Sequence, residues 1–564
     1  MGNFFKDNKD INWLLKNIDL SEVILYKEKN FKDASKYDYA PSNIEDAIEN
    51  YKIALDILGE ICAERIAPMS KEVDKEGAIF KDGEVEYAKG TKKALKFLSQ
   101  AQLMGFTLPR KYGGLNFPKT IYSMAIEIIS RADGSLMNLF ALQDIGETIY
   151  KFGNEDQKKR YLPRFSSGEI TGAMALTEPD AGSDLQSVSL RAEERNGKWY
   201  LNGVKRFITN GCGDVLLVLA RSEPSTTGGR GLSLFIYERD ENLKIRRIED
   251  KLGLHGSPTC ELQFNDAPCE LLGERKLGLV KYAMSLMNGA RLAVAAQSIG
   301  ISEAAFREAL DYAKNRVQFG MPIIEFPQVY EMLSKMRVFI EAGRRLICET
   351  SKIVDLKEGL EEHVSCFPDE AKKLKKRIRD YTRWSEILTP FSKIFCCEAS
   401  NKICYDAIQV LGGVGYTKDF SVERYYRDVR VTTIYEGTTQ IQVLSAVRGI
   451  LNGSLFNLLD KYEEETHIKD SELFSEISRY RSDLEKAVKF VKEKKDQAFQ
   501  QFHANRIVNM GIYTLVSYLV CLDGLVDSEK EKIAKTFVSL AEKEITGDLN
   551  FILTKSPESL KTLL

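Results

Sequence analysis

The sequence predicts a mostly helical α+β chain whose segments run helical, β, helical and helical again. Three observations carry this expectation. From about Asn43 to Gly168 the chain is rich in Leu, Ile, Ala, Glu and Lys. Between Thr171 and Gly273 it changes to short apolar runs, and after Leu277 helical spacing returns. At 564 residues the chain exceeds the usual domain size of roughly 150 residues several times over. Five segments are expected: an N-terminal extension (1–44), a helical domain (45–170), a central β domain (171–275), a helical domain (276–451) and a further helical domain (452–564).

In the first helical segment Pro109, Gly113, Gly114 and Pro163 punctuate the helices. In the β segment the runs Trp199–Leu201, Val215–Leu219 and Leu232–Ile236 read as strands, and Asn196-Gly197 supplies the positive φ angles of a tight hairpin. Farther on, Leu292, Ala295, Ala296 and Ile299 share one helical face. The last segment, with net charge −3, reads as an appended, solvent-facing helical domain, with Gly453, Gly511, Gly524 and Gly547 as candidate interruptions. Its uncharged run Ile507–Leu522, 16 residues long, falls short of the ~20 that cross a membrane and reads as a buried helix.

Composition narrows the function classes. Hydrophobic residues make up 43% and charged residues 29%, which suits a packed globular chain and excludes wholesale disorder. With 80 basic against 82 acidic residues, the net charge of −2 lacks the field that nonspecific nucleic-acid binding needs, so no nucleic-acid partner is expected. The 10 cysteines include no C-x-x-C pair, so neither a zinc knuckle nor a disulfide scaffold is suggested and no metal is expected. Asp7, Asp10 and Asp19 argue against a signal peptide, and a cytoplasmic location is the default. No 20–50-residue repeat is visible. The G-x-G-x-x-G, P-loop, H-E-x-x-H and G-x-S-x-G signatures are missing, and only four histidines are present. Of these His255 alone lies in a glycine-rich stretch, where a structural or loop role is the favoured reading.

Three segments combine glycine, hydroxyls and a carboxylate where the chain must turn. Met174–Asp184 can present backbone N–H groups and hydroxyls to a polar ring or an anion, or serve as an ordinary helix-to-strand loop. Lys205–Gly211 places Phe207 and Thr209 two apart, on one side of a strand, an arrangement that by itself is more often packing. Ile434–Gln440 sets Glu436 before Gly437, which lets another molecule approach the backbone, although a solvated glutamate would look the same.

Taken together, in this order, the three segments resemble the acyl-CoA dehydrogenase family of flavoproteins over about residues 45–450. Gly105–Gly114, Gly153–Gln157, Arg316–Gly320 and Gln409–Tyr416 extend the likeness. The resemblance implies an acyl-CoA dehydrogenase fold: a helical domain, a central β-barrel-like domain and a four-helix bundle domain, here followed by a C-terminal helical extension. The N-terminal arm, Leu254–Cys260 and the tail beyond 451 are similar to long bacterial members such as 3-methylmercaptopropionyl-CoA dehydrogenase.

For function the resemblance implies FAD-dependent α,β-dehydrogenation of an acyl-CoA thioester to a trans-2-enoyl-CoA. Glu436 would be the base for the α proton while the β hydrogen leaves as hydride to flavin N5, and an electron-transfer flavoprotein would take the electrons. The backbone N–H of Glu436 and a ribityl hydroxyl would stabilise the enolate. Matching motif by motif, the resemblance puts Met174, Leu176 and Thr177 along the flavin, with Phe207 and Thr209 at its other edge; Phe207 stands where the family often has Trp. It puts Arg316 on the pyrophosphate, and Phe319, Gln409, Gly412 and Gly413 around the adenosine end of a neighbouring subunit's FAD; Thr438 and Gln440 complete the cofactor set. Ser183, Asn288, Arg291 and Gly437 fall on the substrate side. Ala290 occupies the place where a branch of the family carries its base, leaving Glu436 as the family-type base. A homodimer is expected, because an extra domain can cover the face by which shorter members form tetramers. The setting would be fatty acid metabolism of the β-oxidation type, with chain length undetermined. Two rivals share the fold: an oxidase that passes electrons to oxygen, and a flavin-binding protein that binds DNA through a basic tail, which the −3 charge opposes. Peripheral membrane attachment through Ile507–Leu522 would need basic flanks, and only Arg506 is close.

Overall fold

The computed structural model describes residues 2–562, in two compact units: 2–304 with Thr417–Val431, and Ala305–Tyr416 with 432–562. The first unit opens with α1 (Lys9–Asn17), α2 (Ser21–Lys27), α3 (Ile44–Ile61) and α4 (Ser70–Glu76). A hairpin of β1 (Ile79–Lys81) and β2 (Glu84–Glu86) precedes α5 (Lys89–Gln100), α6 (Lys119–Ala132), α7 (Gly134–Ala141), α8 (Ile145–Phe152) and α9 (Glu155–Ser167). The N-terminal arm is tied in by a bidentate ion pair between buried Glu28 and Arg110, with Nη2–Oε1 at 3.0 Å. Asn154 and Gln157 form a capping box at the start of α9, and the Gln157 amide also donates to the carbonyl of Leu271 at 3.1 Å. Gly153–Gln157 is therefore a docking device for this helix. Pro163, expected as a break, lies inside α9.

Seven strands follow: β3 (Gly172–Ala175), β4 (Arg191–Arg195), β5 (Lys198–Thr209), β6 (Val215–Arg221), β7 (Leu232–Glu238), β8 (Leu243–Ile248) and β9 (Thr259–Leu272). Pairing runs β3-β6-β4-β5-β9-β7, and β7 pairs back onto β6, which closes the sheet into a barrel; β8 adds to β9. The β4–β5 turn is the expected one, with Asn196 at φ 52 and Gly197 at φ 77 joining Arg195 to Lys198. β6 and β7 are buried on both faces, which is why they read as unbroken apolar runs rather than alternating ones. Leu216, Val218, Phe235 and Tyr237 fill the barrel, while Leu217, Leu219, Leu234 and Ile236 pack with Ile145, Ile149, Leu162 and Phe165 of the helices.

Helix α10 (Met284–Asn315) carries the chain into the second unit. The face containing Leu292, Ala295, Ala296 and Ile299 is buried as expected, but so is every residue from Arg291 to Ala305. The second unit continues with β10 (Val317–Gln318), β11 (Met321–Pro322), α11 (Pro327–Cys366) and α12 (Ala371–Leu411). Helix α13 (Val422–Val429) belongs to the first unit. Then come α14 (Thr439–Leu451), α15 (Ser454–Glu465), α16 (Phe474–Glu493), α17 (Gln497–Gly524), α18 (Ser528–Thr554) and the short α19 (Glu558–Lys561).

The last segment is the helical extension expected, but it does not face solvent throughout as its charge suggested. Arg345 of α11 donates to Asp523 of α17 at 2.8 Å, Tyr462 of α15 donates to Glu349 at 2.9 Å, and Lys530 of α18 reaches Glu341 at 2.8 Å. The charges lie mainly on α15, α16 and α18, while α17 is buried along most of its length. At 28 residues α17 is longer than its uncharged run, and although it is long and apolar enough to cross a membrane, most of it is core. Gly511 and Gly547 sit inside helices; Gly453 separates α14 from α15 at φ 89.

Candidate active site

In the first unit a buried ion pair joins two of the three segments singled out from the sequence. Lys205, 0% exposed on β5, donates from Nζ to the Leu176 carbonyl at 2.8 Å and to Glu178 Oε1 at 2.9 Å. Glu178 also accepts from the Ser189 N–H at 2.8 Å and the Leu190 N–H at 2.9 Å. Burial would raise the Glu178 pKa, but the Lys205 ammonium and these two N–H groups outweigh it and hold the carboxyl below its usual range. For Lys205 burial prevails, bringing it down to about 8 against the pull of Glu178. The Arg206 N–H donates to the Thr177 carbonyl at 3.0 Å, and Asn210 Nδ2 donates to the Gly172 carbonyl at 2.8 Å.

These bonds bring Met174, Leu176 and Thr177 beside the strand that carries Phe207 and Thr209. Met174 and Leu176 face the apolar cluster shared with the helices, and Ala173 and Ala175 face the barrel interior. A bulge between Lys205 and Ile208 interrupts β5–β9 pairing, Phe207 takes φ 60, and its ring is 52% exposed under the Arg206 guanidinium at 4.6 Å. Thr209 is half-buried. Asn288 and Arg291, one turn apart on α10, are joined by Arg291 Nη1 donating to Asn288 Oδ1 at 2.9 Å; Ser183 is an exposed loop residue.

In the second unit Glu436 and Gly437 occupy consecutive positive-φ positions, 55 and 90, in the turn before α14. Thr438 caps that helix by accepting the Ile441 N–H at 3.4 Å, and Gln440 is exposed in its first turn. Lys393, in α12 and 1% exposed, donates to the carbonyls of Thr432 at 2.9 Å and Gly437 at 2.8 Å. Gln442 donates to the carbonyls of Glu436 at 3.2 Å and Gly437 at 3.3 Å.

Arg316 and Phe319 belong to the β10–β11 hairpin, where Phe319 at φ 52 and Gly320 at φ 83 make the two-residue turn and leave the Phe319 ring 92% exposed. Gln409 and Gly412 lie at the C-terminal end of α12, where the Gly412 N–H bonds the Gln409 carbonyl. A Cβ at Gly412 or Gly413 would meet nothing within 4 Å.

Each unit by itself offers groups that suit a large polar ligand such as FAD. Among the described residues, the hydroxyls of Thr177 and Thr209, the amides of Gln409 and Gln440 and the guanidinium of Arg316 have no hydrogen-bond or ion-pair partner, so their bonding capacity is available to a ligand. Arg316 supplies a fixed fork of donors for phosphate oxygens, and the two glycines permit close approach. No group of three or more His, Cys, Asp and Glu that could hold a metal occurs among the described residues.

His255 has a structural role. Its Nδ1 lies 2.9 Å from Asp74 Oδ1 and its Nε2 2.8 Å from the Lys251 carbonyl, so both ring nitrogens face acceptors. The Asp74 bond raises its pKa to about 9 despite burial, and Asp74 is bound on its other side by Arg427 of α13 at 2.6 Å.

Lys205 and Glu178 lie inside the segments singled out from the sequence without a role assigned to them, and Lys393 and Gln442 lie outside all three. A signal existed for Lys393: it is the single charge in the buried run Thr389–Cys397.

Family models for the acyl-CoA dehydrogenase N-terminal, middle and C-terminal domains match residues 49–169, 173–267 and 280–451. A model described as acyl-CoA dehydrogenase C terminal matches 451–560. An acyl-CoA dehydrogenase of Bacillus subtilis (strain 168) is 38% identical over 368 residues, covering 64% of this chain and 90% of that protein. The 3-methylmercaptopropionyl-CoA dehydrogenase of Ruegeria pomeroyi is 34% identical over 432 residues, covering 72% and 70%. In fold the chain is similar to an acyl-CoA dehydrogenase from Bacillus anthracis complexed with FAD, at TM-score 0.76 and 24% identity, covering 91% of this chain and 90% of that one.

Proposed function

Because the chain belongs to the acyl-CoA dehydrogenase family, and is thereby an FAD-dependent oxidoreductase, we propose that Glu436 is the base that takes the α proton of an acyl-CoA thioester. The single observation that carries the reading is the turn at Glu436–Gly437, where a carboxylate is presented on a strained backbone held by Lys393 and Gln442. Residues in sparsely populated φ regions cost of order 1 kcal/mol and collect at functional sites. Bound FAD supplies the hydride acceptor for the β hydrogen. Thr177 and Thr209 offer hydroxyls to the flavin ring, Phe207 covers its edge, and Arg316 pairs with the pyrophosphate. The Glu436 N–H donates to the thioester carbonyl oxygen, stabilising the enolate as the α proton leaves. Gly437, with no side chain, leaves the approach of the thioester open. Asn288, Arg291 and Ser183 bind the CoA moiety; the Asn288–Arg291 bond holds a cation in place for its phosphates.

Phe319, Gln409, Gly412 and Gly413 serve the adenosine end of a second subunit's cofactor, which makes a homodimer the smallest complete enzyme. Their exposure, and the open space over both glycines, support this assignment. An electron-transfer flavoprotein is the acceptor, in chemistry of the β-oxidation type.

The test is Glu436→Gln in FAD-loaded protein. Wild type should exchange the α proton of a bound acyl-CoA with solvent deuterium, and the variant should lose that exchange on the order of 10³-fold or more while retaining FAD. Exchange at the wild-type rate in the variant would remove Glu436 from the reaction.

A further inference from the structure

The base that the reading above assigns sits on a backbone that would not hold its shape alone. Between the 3₁₀ turn Arg430–Thr433 and the start of α14 the chain is irregular. It carries two successive positive-φ residues, and the first, Glu436, has a Cβ that disfavours this region. Such a conformation persists where the surroundings over-determine it. Two buried side chains do so, one from each flanking helix of the same unit.

Lys393 is the more unusual of the two. An ammonium in a run where Pro390, Phe391, Ile394, Phe395 and Cys396 are all buried is expensive to desolvate unless its donors are satisfied. It bonds the carbonyl oxygens of Thr432 and Gly437, one on each side of Glu436, so one nitrogen staples the two ends of a six-residue loop. Gln442, 0% exposed, bonds the carbonyls of Glu436 and Gly437 from the first turn of α14. A trans peptide is planar, so fixing these oxygens fixes the peptide planes that follow Glu436 and the direction of its Cα–Cβ bond.

We propose that Lys393 is a positioning residue for the reaction: its buried ammonium, bonded to the carbonyls of Thr432 and Gly437, holds the loop in the one shape that aims Glu436 at the α proton. The inference rests on the reading of Glu436 as the base. Lys393 touches no reacting atom. Its effect is geometric, and proton transfer falls steeply when donor and acceptor are displaced.

The experiment uses the FAD-loaded, full-length enzyme. Lys393→Met keeps the length and volume of the side chain and removes its donors; Lys393→Arg keeps a cation and donors. Flavin reduction by saturating acyl-CoA is followed anaerobically after rapid mixing, and amide hydrogen exchange of residues 432–438 is followed by mass spectrometry. In Lys393→Met the limiting rate should fall on the order of 10²-fold, while the half-saturating acyl-CoA concentration moves less than about threefold. Exchange should quicken in 432–438 and stay unchanged in the barrel strands, and Lys393→Arg should recover much of both. A Lys393→Met holoenzyme with the wild-type limiting rate and wild-type exchange in 432–438 would overturn the proposal, even if it melted earlier. If Lys393→Met does not retain FAD, Gln442→Leu, which removes the second set of donors, is read by the same two quantities. Glu436→Gln separates the two claims: wild-type reduction in that variant sinks the base assignment, whereas an inactive Glu436→Gln beside a fully active Lys393→Met sinks the clamp alone.

Discussion

Lys205 and Leu176, 29 residues apart in the chain, are joined by an ammonium-to-carbonyl hydrogen bond of 2.8 Å inside the barrel unit, and the same ammonium pairs with Glu178. The bond locks the segment carrying Met174, Leu176 and Thr177 to the strand carrying Phe207 and Thr209. Removing one partner of a buried pair leaves the other charge uncompensated, at a cost of about 3–5 kcal/mol. Lys205→Met should therefore unfold at lower denaturant and lose FAD on gel filtration, with Glu178→Gln milder because the one amide oxygen can still accept from Lys205 and the Leu190 N–H. Full FAD retention at unchanged stability in Lys205→Met would contradict this.

The His255–Asp74 pair makes a pH-dependent contribution with a defined sign. The folded pKa of His255, about 9, lies above its unfolded value near 6.5. Its contribution is fully present below pH 6.5 and is lost as pH rises toward 9. His255→Gln should cost about 1.5 kcal/mol at pH 6, and the gap from wild type should shrink by pH 9.5. Thermal melts at the two values read this directly; a gap that grows with pH would count against the pair.

Asp428 shows a dependence of the same sign in a lower pH window. It is buried, accepts the Leu254 N–H at 2.6 Å, and burial lifts its pKa to about 7 in spite of nearby Arg424. The fold thus prefers the neutral acid at this position, and the Asp428 contribution to stability is lost as pH rises from about 4 to 7. Asp428→Asn keeps an acceptor without a charge. Relative to wild type it should gain stability between pH 5 and pH 8, by about 1–2 kcal/mol, as measured by urea titration at both values.

Gly511 reports on how the last segment is used. A Cβ there would lie 2.9 Å from Ile450 Cδ1 and 3.1 Å from Phe391 Cζ, so α17 approaches α12 and α14 more closely than a side chain allows. Gly511→Val should destabilise the protein by about 1–3 kcal/mol through overpacking. An unchanged melting temperature would mean that α17 does not pack on those helices in solution.

The order of helical and β segments was legible because periodicity and turn chemistry are local: Asn196-Gly197 marks its hairpin, and the runs at Val215 and Leu232 mark strands buried on both faces. Barrel closure was not, since the pairing of β6 with β7 and of Arg191 with Arg221 depends on partner choice across the chain. The solvent-facing reading of residues 452–564 failed because net charge averages over a segment, whereas α17 buries its apolar length and leaves the charges mainly to its neighbours. Glu436 and Gly437 were visible as a motif. Lys393 was not visible as their partner, because its acceptors lie 39 and 44 residues further on and only the fold brings them to its Nζ.

The most direct measurement is an anaerobic titration of the purified, FAD-loaded protein with a panel of saturated acyl-CoAs of short, branched, sulfur-containing and long chains, following the oxidised flavin band. The account predicts bleaching by at least one class, with the corresponding trans-2-enoyl-CoA formed in proportion, and no bleaching in Glu436→Gln. A flavin that stays oxidised with every acyl-CoA, although FAD and acyl-CoA are both bound, would contradict it.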